Sequence, residues 1–108
     1  MSGKPLLRRR SARIDIDTAA DYYDREAGPD VALRFVDAVE AAFRAIVDRP
    51  RAASPGWSKR LKVAGLRSRP VVRFPYLVFY QEHEDHIEVW RVLHAQRDIP
   101  ASLGEASS

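Results

Sequence analysis

Cysteine is absent from the 108 residues. That excludes a disulfide framework and a thiolate nucleophile. Histidine is nearly absent too: two of the three stand in one short segment (His83, His86), and the third is His94. Scattered in this way they do not suggest a structural zinc site. No apolar run approaches the roughly 20 residues of a membrane span. The basic start, MSGKPLLRRRSAR, is not followed by a long apolar segment and so does not read as a secretory signal. These absences lead us to expect a cytoplasmic protein with no metal, no cofactor and no membrane contact. The length suits one domain and is short for two.

Acidic residues are missing from one stretch in particular. Lys59, Arg60, Lys62, Arg67, Arg69 and Arg73 follow one another without an intervening Asp or Glu, and Lys4, Arg8, Arg9, Arg10 and Arg13 crowd the start. The acids gather between them, at Asp15, Asp17, Asp21, Asp24, Glu26, Asp30, Asp37, Glu40 and Asp48. A net charge of +3 is mild. Its segregation nevertheless suggests a polarised surface with a basic side suited to an acidic partner.

Hydrophobic periodicity sets out the elements. A thin strand is expected over Pro5 to Arg9. Ser11 reads as the N-cap of a first helix, in which Ala12, Ile16, Ala19 and Tyr23 recur at helical spacing with Asp15 and Asp21 on other faces. Gly28 ends that helix and Pro29 starts the next. There Ala32, Phe35, Val36, Val39, Phe43 and Ile46 form one stripe that Pro50 stops. Pro50 to Lys59 reads as loop. Leu66 to Val72 is a strand that Pro70 assigns to an edge or a bulge. Tyr76 to Gln81 and Ile87 to Leu93 complete a hairpin whose turn is His83 to His86. The expected fold is α+β, ordered β-α-α-β-β-β, with a helical hairpin on one face of an antiparallel sheet. Residues 1–100 are read as the single domain and 101–108 as a loose polar tail.

This order and its marker residues resemble the ParE/RelE superfamily of toxins from type II toxin–antitoxin systems. The markers are Ala12-x-x-Asp15-Ile16, Tyr22-Tyr23 and Ala32-x-x-Phe35. They continue through Gly65-Leu66-Arg67 and Arg73-Phe74-Pro75-Tyr76-Leu77-Val78-Phe79-Tyr80 to the ending Arg91-Val92-Leu93-His94-Ala95-Gln96-Arg97-Asp98-Ile99-Pro100. The resemblance implies one of two activities. RelE-like members are ribosome-dependent mRNA endoribonucleases. ParE-like members poison DNA gyrase and are not nucleases. Cleavage through a 2′-OH needs a base, an acid and cations for the charged phosphorane. Tyr76 stands where many RelE-like enzymes carry an arginine, and Phe74-Pro75-Tyr76 with His94-x-x-Arg97-Asp98 looks more like the ParE side. The resemblance therefore implies a gyrase-inhibiting toxin, neutralised by a cognate ParD-like antitoxin and touching DNA only through antitoxin or gyrase. The alternative is a RelE-like ribonuclease using Arg67, Arg73, His94 and Arg97.

Candidate residues divide accordingly. Arg67, Arg69 and Arg73, two or four apart, would share a strand face and grip an acidic segment, a gyrase surface or a phosphate, unless Pro70 breaks the register. Arg91 and Arg97 join them as candidates for target or antitoxin binding. Trp90 is read either as a hot spot on an exposed face or as a residue packed under a helix, with the second preferred. His94 is read as structural in preference to catalytic, since no partner base is evident. Tyr22, Phe35, Val39, Phe43 and Phe79 are assigned to the core. The antitoxin is expected to wrap the helical hairpin and a sheet edge, ordering as it binds.

Overall fold

The structure, a computed structural model, describes residues 3–106, with side chains of the last helix described through Leu103. One glycine builds the helical hairpin. α1 (Arg10–Ala27) and α2 (Pro29–Asp48) are separated by Gly28 alone. Gly28 lies at φ 94°, ψ 169°, a backbone region that residues with a Cβ rarely enter. Its N–H closes α1 on the Asp24 carbonyl at 3.1 Å. Pro29 occupies the first helical position of α2, where an N–H would have no partner anyway. α2 buries Phe35, Val39, Ala42, Phe43 and Ile46 along one stripe, and α1 fully buries only the small Ala12 and Ala19.

Four strands form one sheet in the order β1-β4-β3-β2: β1 (Leu6–Arg8), β2 (Leu66–Pro70), β3 (Tyr76–Glu82) and β4 (Ile87–His94). β2, β3 and β4 are antiparallel as expected. β1 lies parallel to β4, so the sheet is mixed and not wholly antiparallel. A parallel neighbour needs a long crossover, and here the connection contains the helical hairpin and both other strands. Pro70 ends β2, an edge strand, where its missing N–H interrupts no ladder.

Both faces of the sheet are covered. On one, Val78, Tyr80, Ile87, Val89 and Val92 pack with Phe35, Val39, Phe43 and Ile46 of the hairpin. On the other, Leu66, Phe79, Trp90 and Leu93 pack with Ile99 and Leu103, helped by Trp57 and Leu61. Two helices carry those last residues: α3 (Gly56–Leu61) and α4 (Ile99–Ala106). Burial on both faces explains why β4 reads as a nearly continuous apolar run. Each fully buried residue of Phe or Val size contributes about 1.5–3 kcal/mol.

Three expectations need correction. The segment read as loop over Pro50 to Lys59 contains the start of α3. The segment read as a loose tail is helical through Ala106, and Ile99 and Leu103, one turn apart, bury 3% and 4% exposed; residues 107–108 of that expectation lie outside the described residues. Pro100 acts here as a helix starter: Asp98 caps α4, its carboxylate accepting from Ala101 N at 3.3 Å. Ser11, expected as an N-cap, lies inside α1, and its hydroxyl donates to the Trp90 carbonyl of β4 at 3.1 Å.

Candidate functional site

β4 carries one residue more than its partner. Phe79 pairs with Arg91 and Tyr80 with Val89, so Trp90 is the extra residue of a β-bulge. The alternation that a regular strand would impose on Ile87, Val89, Arg91 and Leu93 therefore fails. Val89 and Val92 face the hairpin, whereas Trp90 and Leu93 face α4. Arg91, freed from the alternation, reaches Asp15 of α1 through two bonds, Nε to Oδ2 at 2.6 Å and Nη2 to Oδ1 at 2.8 Å. Its Nη1 donates to the Ser102 carbonyl of α4 at 2.7 Å, and Asp15 Oδ2 accepts from Val92 N as well. This paired, desolvated ion bridge fastens α1, β4 and α4 together.

Above the bridge opens a pocket of about 430 Å³ between α1 and the end of β4. Ile14, Thr18 and Tyr22, four apart on α1, form one wall; Tyr76, His94 and Arg97 form the other. Ile14 and Tyr22 are each about half exposed, at 51% and 50%. Tyr76 pairs with His94 across the strands, and their rings meet edge to face at 5.3 Å. Gln96 N donates to His94 Nδ1 at 3.1 Å, so in the neutral ring the proton sits on Nε2 and that nitrogen is a donor. The turn is pinned further by Ala95 N on the Pro75 carbonyl and Arg97 N on the His94 carbonyl. Burial, then the Tyr22 phenol, pushes the Tyr76 hydroxyl above its ordinary range, against a smaller opposing effect of Arg97. Tyr76 is therefore a neutral donor near pH 7. Its ring also closes an aromatic cluster with Tyr23, Phe35 and Phe74, at centroid distances of 5.1 to 5.3 Å for Phe35–Tyr76, Tyr23–Phe74 and Phe35–Phe74.

The arginines singled out from the sequence do not converge on this pocket. Arg67 lies on β2, the far edge strand, opposite Tyr80, whereas His94 lies opposite Tyr76. By strand geometry the two are about 13 Å apart along the strands and about 10 Å across them. Arg67 Nη1 donates to the Ala53 carbonyl at 2.8 Å, holding the segment after α2 against the sheet, as Tyr80 does through the Pro50 carbonyl at 2.6 Å. Arg69 lines a separate groove with Ala41, Ala45 and Pro70. Arg73 has left β2 altogether. It stands at φ 71° in the turn before β3 and lies beside Val31, Arg34 and Asp37 of α2. The shared face expected for the three holds for Arg67 and Arg69 and ends at Pro70.

Two further candidates change character. Arg91, 6% exposed, and Trp90, 8% exposed, are largely interior, although Arg91 still lines the α1–β4 pocket. Trp90 packs under α4, and its outer ring face carries the Arg9 guanidinium at 4.1 Å. Arg97 and His94, in contrast, do come together. Sequence reasoning missed Tyr22, assigned to the core, and Ile14 and Asp15. The signal available was the row Ile14, Thr18, Tyr22, which runs one position off the buried stripe.

A family model described as the ParE toxin of the type II toxin–antitoxin system parDE matches residues 6–99. Among solved structures, the chromosomal ParDE toxin–antitoxin system from P. aeruginosa is similar in fold, with a TM-score of 0.71 at 23% identity over 83% of this chain and 94% of that one. No curated protein matches. No described helix is long and apolar enough to cross a membrane. The family match spans the hairpin, the whole sheet and the pocket between them, and the chain belongs to the ParE toxin family of type II toxin–antitoxin systems.

Proposed function

We propose that this toxin acts in the cytoplasm as a poison of DNA gyrase, held inactive by a cognate ParD-like antitoxin and meeting DNA only through gyrase or antitoxin. The observation that carries this reading is the separation of the cations. A ribonuclease using Arg67, Arg73, His94 and Arg97 needs them around one phosphate, yet they occupy three places on the molecule. What the α1–β4 pocket offers instead is half-exposed Ile14 and Tyr22 beside Arg97, the tyrosine and arginine chemistry typical of protein–protein anchors. Supercoiling assays with purified gyrase test it. Toxin should inhibit supercoiling and accumulate cleaved DNA, and Tyr22→Ala and Arg97→Ala should each weaken inhibition about tenfold or more. Normal supercoiling at saturating toxin sinks the proposal.

Tyr76, His94 and Arg97 do share the pocket, and an endoribonuclease reading would rest on those three. It predicts cuts within translated codons after induction, which primer extension on cellular mRNA would reveal.

A further inference from the structure

α3 belongs to a stretch of chain without acids. From Arg49 to Gln81 no Asp or Glu occurs, and β2, the strand on which α3 packs, brings only Arg67 and Arg69 as charged residues. The other helix on this face, α4, is preceded by Asp98, whose carboxylate is engaged in capping that helix. Within one turn of α3 and its cap stand Lys59, Arg60 and Lys62, all exposed and none in a salt bridge among the described residues. The apolar residues of α3, Trp57 and Leu61, are turned to the sheet, where they pack against Leu66, Phe79 and Trp90. What α3 leaves outward is therefore cationic.

Two of these cations are held in ways that the fold itself does not require. The Arg60 guanidinium lies over the Trp57 ring at 4.3 Å, and Trp57 in turn stands edge to face on Phe79 at 6.0 Å. Stacking occupies the face of the guanidinium plane and leaves its edge N–H groups free for paired bonds to an oxyanion. Lys62 ends α3 in left-handed backbone, at φ 55° and ψ 38°, a position for which helices choose glycine. A Cβ is disfavoured there, yet this chain places a lysine. The turn that carries it is pinned on both sides: Val63 N donates to the Ser58 carbonyl at 3.1 Å, and the Ser58 hydroxyl donates to the Val63 carbonyl at 2.9 Å.

We infer that α3 is a docking surface for the phosphate backbone of DNA, gripped by Lys59, Arg60 and Lys62 while gyrase holds the toxin against its substrate. The inference rests on the gyrase reading above and deepens it: gyrase brings toxin and DNA together, and the toxin then touches both. Phosphates are the partner that suits this face. A protein anchor buries apolar side chains at the centre of its contact, and α3 has turned its own to the sheet. A duplex asks for cations without a competing acid, and contacts of this kind position a protein without reading sequence. Three cations bind weakly by themselves, which leaves recruitment to gyrase.

The test uses the full-length toxin, purified gyrase and a short DNA duplex. Failure of the unaltered toxin to poison gyrase overturns the gyrase reading and this inference together. With poisoning established, binding of the duplex by toxin alone, followed by fluorescence anisotropy, should weaken with salt at a logarithmic slope of about −2.7, or roughly 40-fold between about 50 and 200 mM. Lys59→Gln, Arg60→Gln and Lys62→Gly should each reduce that slope by about 1. The three together should cut the accumulation of cleaved DNA about tenfold, with binding to DNA-free gyrase held within about twofold. Lys62→Gly should melt no lower than the unaltered chain, because glycine suits left-handed backbone, so loss of fold does not account for its loss of contact. Unchanged slopes, or unchanged trapping of cleaved DNA by the triple variant, overturn the inference and leave the gyrase reading standing. An equal loss of binding to DNA-free gyrase overturns it in favour of a protein contact. Toxin that binds vesicles of anionic phospholipid and not the duplex overturns it in favour of a lipid surface.

Discussion

Asp15 fastens α1 to β4 through its carboxylate. It receives Arg91 through two bonds and the Val92 amide through a third, all at a side chain only 8% exposed. Removing one partner of such a bridge leaves the other charge buried and uncompensated. Asp15→Ala should therefore lower unfolding stability by about 3–5 kcal/mol, measured by urea titration. The double variant Asp15→Ala/Arg91→Met should recover part of that loss, because no orphaned charge remains. Helical periodicity places Asp15 off the apolar stripe, and the sequence makes Arg91 a candidate contact residue. Both readings miss the bridge for one physical reason. A strand's period of two puts Arg91 in phase with Val89 only if the strand is regular, and no local residue type announces the bulge at Trp90. Tyr22 shows the same limit on a helix, since one position beside a buried stripe is enough to move a side chain from core to pocket wall.

Among the elements, the hairpin and the three long strands were legible because long periodic runs with glycine or proline boundaries leave few alternatives. α4 was not. Its large apolar residues are just Ile99 and Leu103, and the small polar residues after Pro100 carry no helical stripe, although proline favours the first turn of a helix. What makes α4 form is tertiary: it covers Phe79, Trp90 and Leu93, which would otherwise face water. Leu103→Ala should cost about 2–4 kcal/mol, a fall in melting temperature of roughly 8–30 °C for a domain of this size. A near-neutral result would mean that α4 is not a fixed part of the core. At the other joint, Gly28→Ala forces a Cβ into φ 94° backbone and should cost about 1–3 kcal/mol with no cavity to explain it. Thermal unfolding of the variant, compared with an alanine substitution at exposed Gly56, separates backbone strain from loss of glycine as such.

On the scale of the whole molecule, two carboxylates bind segments distant in sequence. Glu82 accepts from Lys4 at 2.8 Å and from Arg51 at 3.2 Å; the Lys4 bond is the main reason its carboxyl lies below the ordinary range. Burial pushes Glu88 upward, but bonds from Arg9 and His83 outweigh it and the net shift is also downward. Groups whose folded pKa is depressed stabilise the fold above their unfolded pKa, about 4.3, and that stability is lost as pH falls through the lower folded value. Chemical unfolding midpoints should thus drop as pH goes from about 5 to about 3, and Glu82→Gln/Glu88→Gln should flatten that part of the profile. An unchanged slope in the double variant would place the acid sensitivity elsewhere.

The pairing of β1 with β4 also governs when this protein comes into being. Leu6, Leu7 and Arg8 find their partners Ile87, Glu88 and Val89 about eighty positions later, so during synthesis the first strand emerges long before there is anything for it to join. Contacts this remote in sequence form late, and domains assemble as their chain is delivered. The nascent chain is consequently an incomplete sheet, its basic opening segment unpaired, until β4 has been made. A cognate antitoxin already present has that whole interval in which to meet the unfinished chain.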